Sequence, residues 1–316
     1  MKKLVSILSA SAIVAASVPA MTSSAVDIAK YVPSLSMKLS SCNGYWTITS
    51  NYGYINKNKI NTDTIKYSAN VNYKDVTAQT GGIFTRWNTQ DKYITLSDLK
   101  DPMEAGYGSP FTQYTEPSDF ADNVYQIENT NFCSASYYRG GTTTQPLGRA
   151  NDLESPVCLA EFDINIAKDV EIGVHSVDFV FSGDIDPLTG KTTDLFTYGV
   201  LQTPQIDPPF REYKYNKNTA KGVKFAVSDR ELGDIDDNNR WNVTDASKIL
   251  TACSKLANNK ETGLSEGQLI AADVNCDGRY TNVDASTVLG YCSYISNPDH
   301  TDSIYSYLNK KYQRET

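Results

Sequence analysis

Between about residues 32 and 200 apolar and polar positions alternate. In "CLAEFDINIA" (158–167), Ala160, Phe162, Ile164 and Ile166 fall on one side, while Leu159, Glu161, Asp163, Asn165 and Ala167 fall on the other. A period of two with one apolar face suits a strand that packs one side on a core. The stretches 64–73, 81–96, 155–167 and 173–182 share this pattern, are rich in Val, Ile, Tyr, Phe and Thr, and are punctuated by Gly, Asn, Asp and Pro. No long helical pattern interrupts them. The expected fold class is mainly β, an antiparallel β-sandwich of the jelly-roll kind over residues 32–200.

The pattern then changes. Residues 202–222 hold three prolines and many charges, which predicts a semi-stiff linker over 201–232. "VKFAVSD" (223–229) fits either a short strand or the lead-in to the next unit. Beyond it the apolar spacing becomes helical: Ile249, Leu250, Cys253 and Leu256 in one segment, Val288, Leu289, Cys292 and Ile295 in another. In the tail, 298–316, Ile304, Tyr307 and Leu308 allow one more helix, against the alternative of a frayed end.

Each helical segment follows an acidic stretch, and the two stretches match. "GDIDDNNRWNVTDASKIL" starts at Gly233 and "ADVNCDGRYTNVDASTVL" at Ala272. Counted as twelve-residue loops, positions 1, 3, 5, 7, 9 and 12 are Asp234, Asp236, Asn238, Arg240, Asn242 and Asp245 in the first copy. In the second they are Asp273, Asn275, Asp277, Arg279, Thr281 and Asp284. These are the ligand places of an EF-hand-like loop for Ca²⁺, a hard cation that gathers six to eight oxygens. Position 7 supplies a backbone carbonyl, so arginine is tolerated, and position 9 works through water. Position 6 must turn sharply. Gly278 does so readily, and Asn239 is among the few other residues that visit the left-handed region. Position 12 is Asp in both copies, a shorter arm than the usual Glu. No amphipathic helix is expected to enter either loop.

Two calcium-loop-plus-helix units in tandem resemble a dockerin of the type I-like kind, over residues 233–297. The resemblance implies two bound Ca²⁺ ions and a small all-α domain that plugs into a cohesin module on a cellulosome scaffold protein. It also implies a recognition surface at Val243, Thr244 and Leu250 in the first unit and Asn282, Val283 and Leu289 in the second. These depart from the family's familiar Ser-Thr and Lys-Arg pairs and imply a more apolar partner. Independently, a short module with a small core and crowded carboxylates should fold only with its metal.

The whole chain adds context. It has 316 residues, a net charge of −8 and a pI near 4.9, which argues against nucleic acid or an anionic membrane as partner. Lys2 and Lys3, a short apolar run, and small residues before Ala20 or Ala25 read as a signal peptide within residues 1–25, so the protein is expected to be secreted. Six cysteines without Cys-x-x-Cys spacing and only two histidines make zinc unlikely. The cysteines are expected to be mostly reduced and buried.

Three readings stand for the front domain. The stretch 150–179 resembles the late strands of a cohesin, which implies a non-catalytic adaptor that receives dockerin-bearing proteins. Tyr45, Trp46, Tyr52, Tyr54, Tyr137 and Tyr138 offer aromatic platforms for a plant polysaccharide, although strand aromatics more often pack a core. An enzyme would need paired carboxylates, of which Glu161 and Asp163 share a strand face, or a role for His175. No Gly-x-Ser-x-Gly elbow occurs, and His175 reads as structural. No catalytic residue is assigned.

Overall fold

The computed structural model describes residues 34–42, 46–49, 51–74, 80–101, 104–105, 120–126, 132–139, 157–181, 198–202 and 210–311. The expected signal peptide, Tyr45 and the side chains of Trp46, Tyr137 and Tyr138 lie outside what is described. Among the described residues fourteen strands are present: β1 (Ser34–Cys42), β2 (Trp46–Thr49), β3 (Tyr52–Asn56), β4 (Thr64–Lys74), β5 (Thr80–Asn88), β6 (Ile94–Lys100), β7 (Phe120–Gln126), β8 (Phe132–Arg139), β9 (Val157–Ala167), β10 (Gly173–Phe179), β11 (Tyr198–Gln202), β12 (Phe210–Lys214), β13 (Ala220–Lys221) and β14 (Val223–Ser228).

They form two sheets. One runs β13-β1-β4-β9-β6. The other runs β12-β11-β5-β10-β14-β3-β2, with β8 also on β5 and β7 on β8. The period-two pattern positions the core between them. Ile65, Tyr67, Ala69, Val71 and Tyr73 of β4 and Ala160, Phe162, Ile164 and Ile166 of β9 are buried, as the alternation predicts. From the other sheet come Trp87, Val177, Phe179, Val223, Phe225 and Val227. Trp87 packs on Phe162 with ring centroids 5.3 Å apart, and Tyr67 on Phe225 at 4.8 Å.

Several expectations are corrected. The sheets are mixed rather than antiparallel: β13 lies parallel to β1, and β14 parallel to β3. Part of the expected linker is regular structure, since β12, β13 and β14 fall inside 201–232. The reason lies in β14, which is buried on both faces from Phe225 to Ser228. Val223, Phe225 and Val227 point into the sandwich, while Ala226 and Ser228 point outwards and are also buried.

What covers those outward residues is helical: α1 (Val243–Ala257), α2 (Glu266–Ala272), α3 (Asn282–Ile295) and α4 (Ile304–Lys311). Their core contains Ile235, Ile249, Ile270, Val274, Val288, Ile304 and Leu308, and it also contains Tyr54 of β3 and Ala226 of β14. The helices therefore do not stand alone but share one core with the outer face of the sheet. α2 is a short helix that does enter the second loop, its last residue preceding Asp273. α4 forms, burying Ile304, Tyr305 and Leu308, so this part of the tail is packed rather than frayed.

Candidate metal loops and docking face

The two acidic loops have the same backbone. Left-handed residues recur at positions 4 and 6: Asp237 (φ 60°) and Asn239 (φ 57°) in the first, Cys276 (φ 55°) and Gly278 (φ 80°) in the second. Asn239 thus takes the turn that Gly278 takes, which asparagine tolerates better than most side chains. The hydrogen bonds repeat as well. Asp234 Oδ1 and Oδ2 accept from the backbone N–H of Asn238 (3.2 Å) and Asn239 (2.7 Å). Asp273 accepts in the same way from Asp277 (3.0 Å) and Gly278 (2.9 Å).

Position 12 closes each loop. Asp245 accepts from the N–H of Ile235 (2.9 Å) through one oxygen and of Asn242 (3.0 Å) through the other. Asp284 accepts from Asn275 (3.1 Å) and Thr281 (2.8 Å). Asn242 and Thr281 are the N-caps of α1 and α3, and the two aspartates complete capping boxes three residues on. A short Asp arm therefore suffices at position 12, because it bridges backbone across a tight loop.

Four of these carboxylates, Asp234, Asp245, Asp273 and Asp284, are buried. Burial pushes all four up from the ordinary carboxylate range, against the hydrogen bonds they receive. Asp273 is pushed up to about 7, with further repulsion from Asp284 and Asp277.

A cation fits the first loop. Carboxylate oxygens of Asp234, Asp236 and Asp245 lie within 4.8 Å of one another. Asp236 Oδ1 is a buried atom with no hydrogen-bond partner. In the second loop Asp277 is exposed and is engaged by Asn275 Nδ2 (2.9 Å) and Arg279 N (2.8 Å), so its carboxylate is not gathered with Asp273 and Asp284. Arg240 and Arg279 are exposed, consistent with a role confined to their carbonyls.

The six positions marked for partner recognition all lie at the surface: Val243, Thr244, Leu250, Asn282, Val283 and Leu289. Five large hydrophobics are exposed among the described residues, and Val243 (69%), Leu250 (46%), Val283 (45%) and Leu289 (42%) are four of them. A groove of about 510 Å³ runs along α1 past Val243, Thr244 and Thr251 to Leu264.

Other candidates resolve differently. His175 is buried, with Nδ1 against Asp91 Oδ2 and Nε2 donating to the Glu171 carbonyl at 2.9 Å, so both ring nitrogens are engaged. Asp163 is tied to Lys66 (2.5 Å) and Ser68 (2.9 Å) on the outer face of β4 and β9. Tyr54 is buried and Tyr52 half-buried beneath the helices, so neither forms an open sugar platform. Of the five described cysteines, all free thiols, Cys133, Cys158 and Cys276 are buried, while Cys253 and Cys292 are half-buried.

One functional feature escaped the sequence reading. Glu231 is buried and ties three elements together. Its Oε1 accepts from Asn56 Nδ2 and pairs with Lys59 Nζ, both at 2.6 Å, and its Oε2 accepts from Tyr305 O–H at 3.0 Å. No repeat or motif marks this residue. Only its partners, 175 and 74 positions away in the chain, give it meaning.

No protein-family model and no curated protein matches the chain. The N-terminal region resembles cohesin modules in solved structures, at low scores. A type III cohesin from the cell-surface anchoring scaffoldin ScaE of Ruminococcus flavefaciens is 11% identical, over 64% of this chain and 92% of that one, with a TM-score of 0.34. CaCohA2 of Clostridium acetobutylicum is 13% identical over 61% and 90%, with a TM-score of 0.30. The seventh ScaB type I cohesin of Pseudobacteroides cellulosolvens is 9% identical over 52% and 82%, with a TM-score of 0.29. Such scores carry neither partner nor activity across to this chain.

Proposed function

We propose that this chain is a secreted, extracellular component of a cellulosome-type assembly, and that its C-terminal helices form a calcium-ordered dockerin that plugs into a cohesin on a scaffold protein. The observation that carries this reading is the duplicated loop: the same ligand places, left-handed turns and carboxylate-to-backbone bonds, each opening onto a helix that bears an exposed leucine.

Asp234, Asp236, Asn238, Asn242 and Asp245, with the Arg240 carbonyl, would hold one Ca²⁺. Asp273, Asn275, Asp277, Thr281 and Asp284, with the Arg279 carbonyl, would hold the other. The ion supplies positive charge at the centre of each loop. The carboxylates fix the loop backbone and cap α1 and α3, which sets the angle at which those helices leave. The helices then present Val243, Leu250, Val283 and Leu289 as an apolar face for a cohesin to cover. Asp277 must turn from Arg279 N to join the second site.

The β-sandwich is proposed to be a non-catalytic, cohesin-like adaptor module that offers a place to dockerin-bearing proteins. Its two-layer build supports this, as does a histidine with neither ring nitrogen spare.

Calorimetry on the full chain tests the first part. Uptake of two Ca²⁺ per chain is expected, with retention on immobilised scaffold cohesins lost in chelator. Retention that survives both chelation and the paired changes Asp234→Ala and Asp273→Ala overturns the docking mechanism. For the sandwich, capture of dockerin-bearing proteins from culture supernatant supports the adaptor role. Capture of scaffold proteins alone removes it.

A further inference from the structure

The helices cover only part of the outer face of the larger sheet. Along β14 the outward residues are Lys224, Ala226 and Ser228. Ala226 is buried under the helices and Ser228 Oγ donates to Gly267 O at 2.9 Å, whereas Lys224 is exposed. β10 lies alongside, with Ser176 opposite Lys224. Beyond the helices this face opens into a groove of about 940 Å³.

The charge of the groove runs against that of the chain. Lys217, Lys221 and Lys224 line it, all exposed and none in an ion pair among the described residues. One lining acid, Asp178, already accepts from Ser176 Oγ at 2.5 Å. Among the described lining residues, three lysines less one aspartate leave a charge of +2, in a chain whose net charge is −8. Gly222 permits the arrangement, because a Cβ there would stand 2.2 Å from the Val177 carbonyl. The chain thus presses flat against β10 between Lys221 and Lys224. The lining also includes the amides of Asn88 and Gln90, the exposed side chain of Val174 and the half-buried Phe181.

Lysines for carboxylates, amides for hydroxyls and an apolar strip for C–H faces together match one chemistry. We propose that this groove binds an acidic polysaccharide, a polyuronate chain, with Lys217, Lys221 and Lys224 pairing its carboxylates. The net negative charge of the protein repels polyanions in general, so uptake must come from this local reversal of sign. The site uses none of the aromatic platforms considered from sequence and is independent of the calcium loops.

The test is calorimetry of the full chain with tetragalacturonate, alongside neutral cellotetraose and poly-glutamate. Binding of tetragalacturonate that weakens with salt is expected, with none for cellotetraose. The double change Lys221→Glu and Lys224→Glu, its fold checked by circular dichroism, should weaken binding at least about tenfold, since each reversal replaces an attraction with a repulsion. The proposal is overturned by no binding of tetragalacturonate, by unchanged affinity in the double variant, or by equal affinity for cellotetraose. Equal or tighter binding of poly-glutamate also overturns it and makes the groove an acidic-peptide site.

Discussion

Removing calcium should cost this protein most at neutral pH and almost nothing in acid. Asp273 sets the scale. Burial raises its carboxyl from 3.8 to about 7, and Asp284 and Asp277 add repulsion. At about 1.4 kcal/mol per unit the shift corresponds to at most about 4 kcal/mol, or about 2–4 once water reaching the loop is allowed for. Because the folded-state value lies above the unfolded one, the metal-free folded protein holds a proton that the unfolded chain releases. That contribution is fully present below about pH 4 and is lost as pH rises through about 7. Asp234, Asp245 and Asp284 are raised too and act in the same direction. On the proposed calcium reading, the bound ion would reverse the trend, since it needs the same groups ionised. The melting temperature with calcium minus that without should therefore be near zero at about pH 4.5 and reach about 5–15 °C at about pH 7.5. Circular dichroism melts on dialysed protein, with and without calcium, read this directly. A metal-free protein that gains stability between those two pH values, or a calcium effect equal at both, refutes the argument.

Three further outcomes follow from particular contacts. Phe162→Ala removes a fully buried ring packed on Trp87 and should lower stability by about 3–5 kcal/mol in denaturant unfolding, with Trp87 fluorescence as the probe. Glu231→Ala strands Asn56 and the Tyr305 hydroxyl and should cost about 2–3 kcal/mol. Hydrogen exchange should then speed up in α4 before it does in β4. Leu250→Asp with Leu289→Asp should leave calcium uptake unchanged and weaken cohesin retention at least about a hundredfold, because two charges would be buried without partners.

The sandwich strands were legible because period-two alternation survives in β4, β9 and β10, where one face meets the core. It was only half legible in β14: "VKFAVS" fitted a short strand as well as a lead-in, because its outer positions Ala226 and Ser228 are buried too and prolines and charges that read as a linker precede it. Its neighbours β3 and β10 lie far away in sequence, and no local signal announces a late strand inserted between them. The acidic loops were legible residue by residue because metal-loop spacing and helix capping are both local. Asn239 could be placed in the left-handed region from its type alone. α2 was missed because it is only seven residues long, too short for helical periodicity to show. Glu231 and the lysine groove were out of reach for the same reason as β14: their partners meet only after the chain has folded.

The shared core at Tyr54, Ala226 and Tyr305 has a mechanical consequence. A helical unit on a flexible tether would swing, whereas here the helices and the sandwich turn together and keep a fixed bearing to each other. A pull between the two is carried along β14, which is hydrogen-bonded to β10 on one side and β3 on the other. Force in that direction shears a row of hydrogen bonds together instead of peeling them one at a time.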